Sequence, residues 1–221
     1  MKALLLHGLN NSPGMMRAFD QELHRLGLKT AIGHLTGHYE SHDRLNILRR
    51  ATADQWLHDA EEFYRANADD ELIWVGFSLG ALVGLVLAQN PKFKFSKMIL
   101  LAPAIYLRPW SHLPKFLKAK SLVLPSAMPA NTRANRGTPV GAYQAMFDLI
   151  GRFDIHQLRT PSLTIISPLD ELVDARKVQK NLPKVLTLKP GLKIQHLVTD
   201  EKFVGSENWQ KMWAKIGEFI V

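Results

Sequence analysis

The residues best placed to do chemistry are Gly76-Phe77-Ser78-Leu79-Gly80, a serine held between two glycines in the pattern G-x-S-x-G. A short apolar run, 72–75, precedes them, and Leu79, Leu82, Val83, Leu85, Val86 and Leu87 follow until Asn90-Pro91, where a helix normally stops. The spacing predicts a buried strand that breaks sharply into a helix at Ser78. Such a turn strains the serine backbone and leaves room for hydrogen alone at Gly76 and Gly80. It lifts the hydroxyl off the carboxyl end of a sheet and points the first N–H groups of the next helix at the same spot, where a developing oxyanion would be stabilised. The chemistry implied is nucleophilic attack by serine on a carbonyl carbon.

Other chemistries have weaker support. His34, His38 and His42 recur every four residues, a spacing that would put three imidazoles on one helix face as metal ligands. Gly33 and Gly37 interrupt any such helix and no H-E-x-x-H pattern is present, so these read as loop histidines. The chain has no cysteine, which excludes thiol catalysis and a disulfide framework.

The elements that must position Ser78 follow from the same kind of reading. Continuous apolar runs at 3–6, 72–75 and 98–101 predict strands covered on both faces, 162–167, rich in β-branched residues, predicts another, and 30–35 and 193–195 predict two more. Helices are predicted between them: one from Ser12-Pro13 through Met16, Phe19, Leu23 and Leu26 to Gly27, and one opened by a capping box at Thr52 and Gln55 that buries Trp56, Ala60 and Phe63. A last helix, capped by Ser206, puts Trp209, Met212, Trp213, Ile216, Phe219 and Ile220 on one stripe. Alternation of strand and helix builds an α/β architecture, a mostly parallel sheet with helices on both faces. The segment 103–153 breaks that rhythm with six prolines among bulky apolar residues such as Tyr106, Trp110, Phe116, Met128 and Phe147. The expectation is one domain over 1–221 with 103–153 inserted as a cap.

The elbow at Ser78 and the His7-Gly8 pair closing the first strand resemble the α/β-hydrolase fold, and most closely its small carboxylesterases and monoacylglycerol lipases. That resemblance implies an oxyanion hole from the backbone N–H groups of Leu9 and Leu79, with His7 structural. It places the triad acid a few residues past the strand at 162–167, which matches Asp170, with Glu171 and Asp174 as close rivals. If a helix starts near Leu172, Asp174 lies in its first turn and is explained as a partner of the helix dipole. Of nine histidines only His196 lies beyond that acid, and the order Ser, Asp, His is the family's. Gln195 stands where many members carry a small residue. The implied reaction is hydrolysis of a small-molecule carboxylic ester, with a medium apolar acyl chain under the cap, through Ser78, His196 and Asp170 and an acyl-enzyme. No metal or organic cofactor is needed. An acyltransferase or a thioesterase would use the same triad, and a non-catalytic binding protein on this fold usually lacks one of its members.

Composition narrows the remaining choices. The net charge of +8 is spread along the chain, with modest clusters at 92–97 and 115–120 and no known nucleic-acid motif, so nucleic acid is not the expected partner. No run of about 18 apolar residues is present to span a bilayer, and the apolar start of the chain is too short for a signal-peptide core. A cytoplasmic protein is expected.

Overall fold

A computed structural model describes residues 1–40, 43–68, 71–126, 128, 130–188 and 203–221. The first half runs β1 (Lys2–Leu6), a 3-10 turn (Pro13–Met16), α1 (Arg17–Arg25), β2 (Lys29–Ile32), α2 (Leu45–Leu48) and α3 (Ala53–Ala66). Then come β3 (Leu72–Phe77), α4 (Leu79–Ala88) and β4 (Lys97–Leu101). Between β4 and the next long strand lie α5 (Leu113–Phe116), the short strands β5 (Val123–Pro125) and β6 (Gly137–Pro139), and α6 (Val140–Arg152). The chain closes with β7 (Ser162–Ile166), α7 (Ala175–Asn181), β8 (Val185–Thr187) and α8 (Glu207–Ile220).

Six strands form one sheet in the order β2-β1-β3-β4-β7-β8, every pair parallel. β5 and β6 form a separate antiparallel pair. Alternate side chains of each long strand go to opposite faces. Leu4, Leu6, Trp74, Met98 and Leu100 meet α3, α4 and α6 on one face, while Ala3, Leu5, Ile73, Val75, Ile99 and Leu101 meet Phe19 and Leu23 of α1 and Trp209, Met212 and Ile216 of α8 on the other. Helix α4 is apolar all round because it is wrapped all round: eight of its ten residues are buried. The parallel α/β architecture read from the sequence is therefore the one found.

Several local expectations change. The helix after Ser12 opens as the 3-10 turn, and the Ser12 hydroxyl caps nothing, while the backbone N–H of Ser12 donates to Thr132 O at 2.8 Å. The strand expected at 30–35 is Lys29–Ile32, and it ends before Gly33. The Thr52 hydroxyl accepts from Gln55 N at 3.1 Å, but the Gln55 amide turns to Asp59 at 3.0 Å, so only half of the capping box forms. Strand β8 was not foreseen. The strand expected at 193–195 lies outside the described residues.

Candidate active site

Register aligns the carboxyl ends of the central strands: Leu6 stands opposite Gly76, Phe77 opposite Leu101, and Leu101 opposite Ile165. His7, Ser78, Ala102 and Ser167 consequently all leave the sheet at one edge. The strand order reverses direction between β1 and β3, the place where open parallel sheets leave a crevice for ligands.

Ser78 sits at the break between β3 and α4 with φ 49° and ψ −106°, a conformation costly for any residue with a Cβ. Three backbone bonds hold it there: Ser78 N to Leu101 O at 2.8 Å, and Leu82 N and Ala104 N to Ser78 O at 3.1 and 3.2 Å. The flanking glycines are required by close approach. A Cβ on Gly76 would lie 2.5 Å from Ala81 Cα, and one on Gly80 would lie 2.3 Å from Leu6 O. The N–H groups of the first turn of α4, Leu79 included, have no acceptor inside the helix.

The loop after β1 approaches the same point. Asn11 N bonds Gly8 O at 3.1 Å, Asn10 N bonds His38 Nε2 at 2.9 Å and Ser12 N bonds Thr132 O. The N–H of Leu9 donates to no acceptor among the described residues, and Leu9 and Ser78 line one cavity of about 420 Å³. Leu107, Trp110, Leu113, Pro114, Met128, Tyr143, Met146, Leu172 and Val173 line it. Asn11, Ser111, Ser126, Thr138 and Glu171 add a few polar groups to a mainly apolar surface.

A buried polar network fixes the Leu9 loop from behind. Asn10 adopts φ 57°, and its side chain exchanges bonds with Asn135: Asn10 Nδ2 donates to Asn135 O at 3.1 Å and Asn10 Oδ1 accepts from Asn135 N at 3.0 Å. Asn135 Nδ2 also reaches Gly37 O at 2.9 Å. His7 and His38 are wholly buried with ring centres 4.8 Å apart. Each donates through Nδ1 to a backbone carbonyl, of Gly8 and Thr36 respectively, and accepts through Nε2 from a backbone N–H, of Leu35 and Asn10. Both rings are therefore neutral. Burial pushes the His7 imidazole down to about 4 and that of His38 well below its ordinary value. His7 serves structure, as expected; His38 is a core residue, while His34 is exposed and His42 lies outside the described residues. No group of three potential metal ligands occurs among the described residues.

The rival acids separate by environment. Asp170, past the end of β7, is fully buried, and its Oδ1 accepts from Leu172 N and Val173 N, both at 2.8 Å. Asp174 caps α7, its side chain accepting from Lys177 N at 3.2 Å. Glu171 faces the cavity, and its carbonyl accepts from Trp110 Nε1 at 2.7 Å. His196 lies outside the described residues. Ser78 and Leu9 thus line one cavity, with Leu79 next to Ser78 at the start of α4, and Asp170 holds the backbone of Leu172 and Val173, which line the same cavity. The Asn10–Asn135 pair and the cavity-lining Thr138 escaped the sequence reading, since partners 125 residues apart leave no local pattern.

The parallel sheet, the strained elbow and the cavity above it define an α/β-hydrolase, an enzyme of the serine-hydrolase class. Residues 2–146 match the family described as Serine aminopeptidase, S33 (Hydrolase_4), and the chain belongs to it. A search of curated protein sequences returns no match. Among solved structures, the chain is similar to a metagenome-derived lipolytic enzyme of the LipS and LipT study, with TM-score 0.79 and 19% identity over 99% of this chain and 92% of that one. It is similar to the monoacylglycerol lipase of Paleococcus ferrophilus, with TM-score 0.75 and 14% identity over 99% and 93%. It also resembles a soluble variant of the monoglyceride lipase of Saccharomyces cerevisiae, with TM-score 0.76 and 12% identity over 99% and 87%. At these identities the likeness is one of fold.

Proposed function

We propose that the protein is a carboxylic ester hydrolase whose residues 103–153 form a cap over a single catalytic domain. The observation that carries this reading is the Ser78 elbow on the floor of an apolar cavity of about 420 Å³, a volume in the ordinary range for small-molecule sites. In the proposed reaction His196 takes the Ser78 proton as Oγ attacks the ester carbonyl, and the N–H groups of Leu9 and Leu79 hold the oxyanion. The alcohol leaves with the proton returned by His196, and water, activated in the same way, clears the acyl-enzyme. Asp170 orients the imidazole and stabilises its protonated form; the amides of Leu172 and Val173 on Oδ1 hold its carboxylate in place. The lipolytic activity of the structural neighbours and the apolar walls favour an ester with a medium acyl chain, each buried methylene adding roughly 0.8 kcal/mol. A cytoplasmic setting completes the reading.

The test is labelling with a fluorophosphonate probe, mapping of the labelled residue, and turnover of p-nitrophenyl esters of increasing chain length beside aminoacyl anilides. Labelling at Ser78 alone, lost in Ser78→Ala, with kcat/KM rising from acetate to medium chains, is expected. Labelling at another serine would refute the nucleophile. Preference for the anilides would make the enzyme a peptidase, and a steady fall from acetate onward would remove the acyl pocket.

A further inference from the structure

The mouth of the cavity is unusually greasy for a surface in contact with water. Trp110, Leu113 and Phe116 are 60, 64 and 72% exposed; Leu122, further along the same segment, is 46% exposed, and Leu172, which lines the cavity with Trp110 and Leu113, is 42% exposed. Isolated exposed apolar residues are ordinary, but a cluster rimmed by charge marks a surface that is covered by something. Trp110, Leu113 and Leu172 also line the cavity that contains Ser78, so the exposed rim and the entrance to the site are one surface.

Charge says what covers it. From 103 to 147 the chain carries six Lys and Arg and not one Asp or Glu. Arg136 is matched by Asp43 at 3.7 Å, and the Arg108 guanidinium lies 5.3 Å from the Trp110 ring and donates to Asp170 O. Lys115, Lys118 and Lys120 are exposed, and none of them pairs with a carboxylate among the described residues. Glu171 is the one acidic residue among those lining the cavity. Aromatic and leucine tips alternating with lysines over one short turn suit the headgroup zone of a bilayer, where rings and aliphatic tips enter the acyl boundary and ammonium groups stay with phosphates. An acidic protein would satisfy the lysines but would leave Phe116 and Leu113 without a matching hollow.

We propose that this face docks on an anionic lipid bilayer, with Trp110, Leu113 and Phe116 in the interface and Lys115, Lys118 and Lys120 on the phosphates, so that the cavity opens toward the membrane. Vesicle binding needs no substrate, so docking can fail while the ester reading stands, and the reverse.

The experiment is co-sedimentation of the whole protein with phosphatidylcholine vesicles, with and without phosphatidylglycerol, at low and high salt. Binding to the anionic vesicles that weakens with salt is expected. Each basic residue near an anionic leaflet is worth about fivefold in partition, so Lys115→Glu, Lys118→Glu and Lys120→Glu together should lower binding about a hundredfold or more. Phe116→Ser with Leu122→Ser should lower it independently, and neither variant should change kcat/KM on water-soluble p-nitrophenyl acetate, since none of these side chains lines the cavity. Equal partition on neutral and anionic vesicles, or binding untouched by both variants, would overturn the proposal. Self-association without lipid that the Phe116 and Leu122 changes abolish would assign the face to a second copy of the chain and overturn it too.

Discussion

At the scale of single residues, what matters is which buried polar groups are already committed. Asp174 spends its carboxylate on a helix cap, while Asp170 is buried and held on Oδ1 by two amides. Asp170→Asn is therefore expected to cost several powers of ten in kcat, since a neutral amide cannot stabilise an imidazolium. Asp174→Asn should leave kcat near its original value and cost about 1 kcal/mol or less of stability, read by urea unfolding. The opposite pattern would move the acid. The histidine pair yields a pH dependence with a definite sign. An unfolded histidine takes up a proton below about pH 6.5, whereas folded His7 resists until about 4. Between those limits the unfolded state binds more protons, so stability is full above pH 6.5 and falls as pH falls. His7 alone should remove about 2 kcal/mol by pH 5, and His38 acts in the same direction. Urea midpoints that stay flat from pH 7.5 to 5 would contradict this. Only half of the pair was legible in sequence: the resemblance implied a structural His7, but His38 read as a loop histidine, because its acceptor role depends on Asn10, 28 residues away.

At the scale of elements, the elbow was legible because its constraint is local. Glycine at 76 and 80 is the trace of helix α4 lying against β1 and β3 more closely than any Cβ permits. Gly80→Ala has to push the helix off the backbone of Leu6 and His7, and it should cost upward of about 3 kcal/mol and displace Ser78. Gly151→Ala is the control: it lies in α6 with nothing within 4 Å of the new methyl, and it should stabilise the fold by about 0.5–1 kcal/mol. Equal effects in thermal melts would deny the close approach. Strands β1, β3 and β4 were readable for a related reason, since burial on both faces demands apolar runs, while β7 was readable from its β-branched residues. β8 was not, being three residues long and half exposed at the sheet edge. The opening of the first helix misread: the Ser12 hydroxyl caps nothing, while its backbone N–H donates to Thr132 O, far along the chain.

At the scale of the whole molecule, the parallel architecture followed from the alternation of strands and helices, but the cavity did not, because its walls come from Leu9, Ser78, Thr138 and Val173, which no window of sequence holds together. The strand order also bears on time. β2, β1, β3 and β4 are consecutive in the sheet and all lie within the first 101 residues, and the bonds that fix Ser78 reach no further than Ala104. Four of the six strands can therefore assemble, the Ser78 elbow already formed, before β7 exists to pair with β4. Pulsed hydrogen exchange during refolding should find amides of β1 and β3 protected ahead of those in β7 and β8, whereas simultaneous protection would show a single concerted step. On a ribosome the same order means that a nascent chain carries a strained serine and no acid to serve it. On the mechanism proposed above the elbow is built inert, and Asp170 after β7 and then His196 follow it out to arm it.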